Sequence, residues 1–314
     1  MADKFKSDSF SHLRLKTIGD LLGSSYKTFR AIKDSDVIHS HHTFSSIIVS
    51  FFKVFFVGTE KLFVCTVHRD YRSAGKITAI AFYLLVFPFR DKIICNSYAT
   101  KASLPRYLKR FFPDRIVVAY NGIDLSSIPC DINFPSDRIN LINVGRLVPD
   151  KDQITLIRMC SLLSKRNVDY HLTICGGGPL EESLRWEIDK LDLTDRVSLV
   201  GNISRSDVYN FLRDSSIYIS TSLTEGFGNS NVEAMAAGCP VVVTDIPVST
   251  EIIVCHQLTF PVRDYEELSN KVVKLASDER YFRTVALSGV KKSKEYSLEA
   301  AANSYYSVYV DSKL

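Results

Sequence analysis

From about residue 140 onward, short apolar runs alternate with segments whose apolar residues recur every three or four positions. INLINVG, YHLTICG, VSLVG, IYIST and PVVVTD read as strands; helices are predicted between them over about 152–166, after Pro179, from Ser206 and from about Ser230. The strand runs are apolar throughout, as expected of strands buried on both faces, so the alternation predicts a parallel sheet in a doubly wound α/β domain. The front of the chain follows the same grammar with four members, DVIHS, LFVCTVH, KIICNS and RIVVAYNG, and predicts a second, smaller α/β unit. Segment 129–138, rich in Pro, Asp and Asn, reads as the linker, and SLEAAANSYYSVYV as a terminal helix. The expected division is a domain over 1–128, a domain over 129–295 and a helix over 296–314 that packs back on the first domain.

Composition changes this picture little. With 314 residues, 46% hydrophobic and 24% charged, the chain can bury two cores. Its seven cysteines are scattered without Cys-x-x-Cys spacing, which suits a reducing cytoplasm better than disulfides or a zinc site. The charged opening MADKFKSDSF lacks the apolar segment of a signal peptide. Charge is the informative quantity. Residues 1–130 carry 19 Lys and Arg against 10 Asp and Glu, a balance of +9, and residues 131–314 carry 20 against 25, a balance of −5. A basic half suits nucleic acid or an anionic membrane surface. FSSIIVSFFKVFFVG and ITAIAFYLLVFPF, in that half, fall short of the roughly 20 residues that span a bilayer, so they predict either surface docking or buried core helices.

In doubly wound sheets ligands bind beyond the carboxyl ends of the strands, and four such ends here are polar and glycine-rich. GRLVPDKD places Arg146 and Lys151 on one loop, two cations able to hold a diphosphate or to form a solvated surface pair. GGGP at 176–179 lets backbone approach a ligand or simply turns the chain. GNISRSD follows the third strand, and TEGFGNSNVEAMAAGCP the fourth. In the last of these, Gly226 and Gly228 open a turn, and Asn229, Ser230 and Asn231 are expected to cap a helix that carries Glu233. Its N-terminus would form an anion site. Glu225 and Glu233 are eight apart and serve different groups; a carboxylate accepts two hydroxyl donors, so one could hold a ribose and the other a sugar. The bland alternative leaves Glu225 solvated and Glu233 favouring the helix dipole.

VGRLVPDKD, GGGP, EGFGNSNVEAMAAGCPVV with its Glu-x7-Glu spacing, and YNGID at 120–124 together resemble family 4 glycosyltransferases of the GT-B fold. The resemblance implies two Rossmann-like domains and a retaining transferase that takes a hexose or N-acetylhexosamine from a nucleotide-diphosphate sugar, with UDP as the default base and GDP as the alternative. It implies that Arg146 and Lys151 bind the diphosphate, that the backbone of Gly226, Phe227, Gly228, Asn229 and Ser230 meets sugar and phosphate, that Glu225 contacts the donor sugar and that Glu233 holds the ribose. Gly145, Gly176, Gly177 and Ile203 complete the implied donor site, and His68 in TVHRDYR matches the histidine that faces the transferred sugar. The implied acceptor is a growing, lipid-linked glycan at the cytoplasmic membrane face, met through the basic half, with no nucleic acid, cofactor or metal.

Two Asp-x-Asp triplets, at Asp34 and Asp36 and at Asp150 and Asp152, and the cluster His39 to His42 could suggest a metal. The first triplet precedes its strand, the second shares a loop with Lys151, and the histidines lack a carboxylate or cysteine at ligand spacing. The family usually opens with a strand, a Gly-rich loop and a long helix before the DVIHSHH region, which stands here at residue 36, so the first domain is expected to be incomplete or completed by a partner chain. Two functions stay open: an active hexosyltransferase, and a nucleotide-sugar-binding chain without turnover or one subunit of a two-chain transferase. A dehydrogenase is excluded, since no Gly-x-Gly-x-x-Gly follows an early strand.

Overall fold

A computed structural model describes residues 18–41, 43–68 and 75–312, with backbone alone for 18–25. The decapeptide at 1–10, His42 and the residues directly after His68 lie outside the described residues. The first sheet has order β1-β2-β3-β4, with β1 (Val37–His41), β2 (Leu62–Val67), β3 (Lys92–Cys95) and β4 (Ile116–Val118). The second has order β10-β9-β8-β5-β6-β7, with β5 (Ile139–Val144), β6 (Tyr170–Cys175), β7 (Val197–Gly201), β8 (Ile217–Ser220), β9 (Val241–Thr244) and β10 (Thr259–Phe260). Every pairing is parallel. β6 and β7 lie to one side of β5, and β8, β9 and β10 to the other, so the chain reverses direction between β5 and β8. The loops leaving those two strands diverge there and open a crevice, the place where such sheets bind ligands.

The helices of the first half are α1 (Ile18–Asp34), α2 (Thr43–Lys53), α3 (Lys76–Ala81), α4 (Tyr98–Ser103) and α5 (Arg106–Phe111). Those of the second are α6 (Gln153–Lys165), α7 (Glu181–Lys190), α8 (Arg205–Arg213), α9 (Asn229–Ala237), α10 (Pro247–Ile252), α11 (Tyr265–Ser277), α12 (Glu279–Ser293) and α13 (Leu298–Asp311). The alternating pattern did not predict β10, α10, α11 or α12. β10 is two residues long, and α11 and α12 follow one another with no strand between them.

α9 is buried from Asn231 to Ala237 because its alanines let β8, β9 and α12 approach closely. α13 crosses to the first sheet, where Tyr305, Val308 and Tyr309 pack against Leu62, Val64, Ile94 and Ala119. Its start is fixed by two backbone bonds: Ile123 N–H donates to the Tyr296 carbonyl at 2.9 Å, and Leu298 N–H to the Ile123 carbonyl at 3.1 Å.

The two apolar stretches of the first half are not buried all round. α2 turns Ser46, Ser50 and Phe52 inward, yet Phe44, Phe51 and Phe55, at i, i+7 and i+11, are each more than half exposed. On α3 and the π-helical turn Phe82–Val86, Ile77, Ile80 and Leu84 do the same. Among the described residues no helix is long and apolar enough to cross a membrane. All seven cysteines are free, and five of them are buried.

The loops after β5 and β6 are locked together by backbone. Gly145 N–H donates to the Cys175 carbonyl at 2.9 Å and Leu147 N–H to the Gly177 carbonyl at 3.0 Å. Gly176 has φ +137°, and a Cβ there would run into the Gly145 carbonyl. Gly176→Ala is expected to cost roughly 1–3 kcal/mol of stability in urea unfolding. A loss below about 0.5 kcal/mol would show that the two loops relax around the added methyl.

Candidate active site

The crevice is built from the loops after β5 and β8. Pro149–Lys151 forms a 3-10 turn, and residues 221–228 run beside it without regular structure. Leu223 N–H donates to the Asp150 carbonyl at 2.8 Å, and Thr221 Oγ1 to the Lys151 carbonyl at 2.8 Å. This stitching brings Lys151 Nζ into an ion pair with Glu225 Oε1, which also accepts from Ser222 Oγ at 2.9 Å. The Glu225 side chain is 12% exposed, so it is not a solvated acid. Arg146 is exposed, and its carbonyl accepts from Val148 N–H and Gln153 Nε2, both at 3.0 Å. Of the two cations on this loop, Lys151 is bound to an acid and Arg146 faces solvent.

Beyond Glu225 the chain turns through Gly228, whose φ of +87° lies in the left-handed region that side chains disfavour. Gly228 is itself the N-cap of α9, with no side-chain cap bond. This corrects the expectation that Asn229, Ser230 and Asn231 cap the helix. Asn229 Oδ1 instead accepts from Asn121 Nδ2 at 3.1 Å, and Ser230 Oγ from the Tyr218 hydroxyl at 2.9 Å. Asn231 is buried, and neither of its amide atoms has a hydrogen-bond partner. The first N–H groups of α9 consequently receive no side-chain cap, as an anion site requires. One turn on, Glu233 is 9% exposed and paired to Arg205 at the start of α8. A groove of about 530 Å³, lined by Asp124, Arg205, Tyr209 and Arg213 among others, opens beside this pair.

The remaining glycines and apolar positions act through packing. Gly177 N–H donates to Asn202 Oδ1 at 2.9 Å, and Ile203 packs on the core that holds Tyr209 and Phe227. The Phe227 side chain is buried against Tyr120 and Tyr296, with ring centroids at 5.9 and 5.4 Å, so only its backbone is available to a ligand. The Gly226 carbonyl faces the first domain. It accepts from Ser97 Oγ and Thr100 Oγ1, both at 3.3 Å, and from Asn96 at 3.1 Å when the amide nitrogen is turned towards it.

In the first half, His68 follows β2. Its Nε2 meets Nδ1 of His41 at 2.9 Å, and the rings of His39, His41 and His68 stack at 4.4 and 5.2 Å. His39 is held by the Tyr309 hydroxyl at 2.6 Å and Thr66 Oγ1 at 2.7 Å. Of the Asp-x-Asp triplet on the Lys151 loop, Asp152 turns its carboxylate to Thr155 Oγ1 at 2.7 Å. Among the described residues no three His, Cys, Asp or Glu side chains are grouped to hold a metal ion.

The family model described as glycosyl transferases group 1 matches residues 127–291, more than half of the chain. The chain belongs to this family. The model described as glycosyltransferase family 4 matches residues 6–127 in front of it. An uncharacterized glycosyltransferase of Methanocaldococcus jannaschii is 28% identical over 298 residues, covering 91% of this chain and 79% of the relative. One of the subunits of the human phosphatidylinositol N-acetylglucosaminyltransferase is 30% identical over 220 residues, 69% of this chain. The chain spans 45% of the length of that human protein, and 63% of the length of a second uncharacterized M. jannaschii glycosyltransferase. Among solved structures, Anabaena HepE in complex with UDP and glucose superposes with a TM-score of 0.80 at 18% identity, covering 94% of this chain and 83% of HepE. The two-domain GT-B architecture is thereby shown.

In this group 1 glycosyltransferase, three features escaped the sequence reading. Arg205 stands in the GNISRSD loop, where a cation after a strand end was visible but its carboxylate partner was not. Segment 96–100 and Glu251 reach the crevice only through the docking of the two domains. The histidine stack needed β1 and β2 to be neighbours.

Burial, with His41, His68 and Arg90 nearby, lowers His39 from 6.5 to about 3. The unfolded chain therefore takes up a proton at His39 that the folded protein refuses. This group's contribution to stability is complete above about pH 6.5 and is lost as pH falls towards 3. The slope from this one group is at most about 1.4 kcal/mol per pH unit. Urea unfolding at about pH 7 and about pH 5 is expected to show a larger loss for the wild type than for His39→Gln. Equal losses would remove His39 from the acid sensitivity of the fold.

Proposed function

We propose that the chain is a retaining glycosyltransferase moving a hexose or N-acetylhexosamine from a UDP-sugar to a growing, lipid-linked glycan. The observation that carries this reading is the pair of flanked acids, Lys151–Glu225 and Arg205–Glu233, on either side of a helix start that no side chain caps. Glu233 holds the ribose hydroxyls, which replace Arg205 as its partner, and the nucleoside lies by the adjoining groove. The diphosphate sits at the α9 N-terminus with Arg146 and Lys151, and Glu225 holds the donor sugar, which His68 faces from the other domain. As the bond from the anomeric carbon to the diphosphate breaks, its electron pair leaves with the diphosphate and the sugar gains oxocarbenium character. Fixed N–H donors and cations stabilise that separation of charge. The acceptor hydroxyl then bonds to the anomeric carbon and gives its proton to the departing diphosphate oxygen.

A UDP donor is supported by the likeness to HepE, whose crystal structure holds UDP and glucose. A lipid acceptor is supported by the similarity to a protein named for phosphatidylinositol and by the first domain's surface. The exposed stripes of α2 and α3 rest on a half with a +9 balance, a match for an anionic lipid surface. The free thiols suit the cytoplasmic face of such a membrane.

Incubation with UDP- and GDP-sugars and a lipid-linked acceptor is expected to give extended product from a UDP-sugar. Glu233→Ala should weaken UDP binding roughly 10- to 100-fold in calorimetry, since charged hydrogen bonds contribute about 1.5–3 kcal/mol each. Lys151→Ala should lower kcat by about 100-fold, and, by leaving the buried Glu225 without its cation, should also lower the melting temperature. UDP binding without product from any donor would leave a nucleotide-sugar-binding chain without turnover, and unchanged UDP affinity in Glu233→Ala would refute the ribose assignment. Separately, the protein should co-sediment with vesicles containing phosphatidylserine, and Phe51→Ser with Phe55→Ser should abolish it. Equal sedimentation with neutral vesicles, or none with either, would remove the membrane from this reading.

A further inference from the structure

At the junction of the domains, a carboxylate from the second half holds a helix start in the first. Glu251 on α10 accepts the backbone N–H of Tyr98 with Oε1 and that of Ala99 with Oε2, both at 2.7 Å. The Tyr120 hydroxyl lies near the same carboxylate, and its acidity is lowered by burial and by the Glu251 charge. Ser97 Oγ accepts the next N–H of α4, from Thr100, at 2.9 Å. The first turn of α4 is thus completed by two residues, one from each domain. The same segment presents Asn96, Ser97 and Thr100 to the Gly226 carbonyl, directly after Glu225. Residues 221–228 have no helix or strand of their own to fix them, so these bonds are what relate Glu225 to the opposite domain.

We propose that Glu251 is a positioning residue for sugar transfer: by clamping segment 96–100 it holds Gly226, and through it the Glu225 carboxylate, in register with the first domain. This rests on the reading of Glu225 as the acid that holds the donor sugar. The acids and N–H groups assigned to the nucleotide all lie in the second domain, so UDP affinity depends on the clamp far less than turnover does.

Glu251→Gln replaces an acceptor oxygen with a donor that opposes a backbone N–H. In hydrogen exchange followed by mass spectrometry, this variant should exchange roughly tenfold faster in segment 96–100 and also in segment 225–228. UDP affinity should stay within about twofold, while kcat falls about tenfold or more, as a misplaced reacting geometry predicts. Glu251→Asp, which keeps both oxygens, should recover part of the loss. Thr100→Val should loosen segment 225–228 without exposing the Tyr98 and Ala99 amides. Unchanged exchange in segment 225–228 overturns the proposal, as does a parallel fall in UDP affinity and turnover, which would mark a general loss of fold. If the wild type transfers nothing, the activity reading falls and the exchange measurement alone decides the clamp.

Discussion

The left-handed turn at Gly228 is the constraint on which the rest of the crevice depends. Within residues 225–228 an acid faces a lysine, a carbonyl faces the other domain, an aromatic ring enters a core, and the backbone reverses into a helix. A side chain at position 228 would strain the reversal and meet Asn231, so glycine is required. With the reversal in place, Phe227 lies between Tyr120 and Tyr296, which belong to the two segments where the chain crosses between domains. α9 can then start without a side-chain cap, its N–H groups open at the crevice where β5 and β8 diverge.

The electrostatics follow from the depth of that crevice. A buried carboxylate charge is costly without a partner, and Lys151 and Arg205 supply one to Glu225 and Glu233. The partners differ in a way that matters. Lys151 is 21% exposed and tethered by its own loop to the Glu225 loop, whereas the Arg205 side chain is 65% exposed and reaches in from α8. The largely solvated Arg205 guanidinium can return to water when hydroxyl donors take its place at Glu233. Glu233 is therefore the acid better prepared to exchange its partner for two hydroxyls, and Glu225 the one whose geometry is held in place.

Much of this fold was legible in the sequence, for a physical reason. Strands buried on both faces leave short apolar runs bounded by polar and glycine-rich turns, and all nine predicted strands are present. β10 was missed because two residues leave no pattern. The helix beginning near Ser230 was foreseen, but its cap was misassigned: cap preference favours Asn and Ser, and here the backbone conformation of Gly228 overrides it. The acids were legible because glycines and amides isolate them within an apolar stretch. Their basic partners were not, because Arg205 lies 28 residues from Glu233 and Lys151 lies 74 from Glu225. The exposed faces of α2 and α3 show the limit of apolar content as evidence of burial: composition alone did not say which side met the core.

The two domains meet through contacts of two kinds, and their division follows from what each interaction can do. The α13 seam is apolar, with Tyr305, Val308 and Tyr309 on Leu62, Val64, Ile94 and Ala119, and such burial supplies energy without demanding one alignment. The contacts beside the crevice are few and directional: two oxygens of Glu251 on two consecutive N–H groups, and three side-chain donors around one carbonyl. Hydrogen bonds of this kind contribute modestly in net terms but fail steeply when misaligned. The seam therefore holds the domains together, and the polar contacts set the register at which they meet. The donors on the Gly226 carbonyl lie one residue from Glu225, the acid proposed to hold the donor sugar, where an error of about 1 Å would cost most.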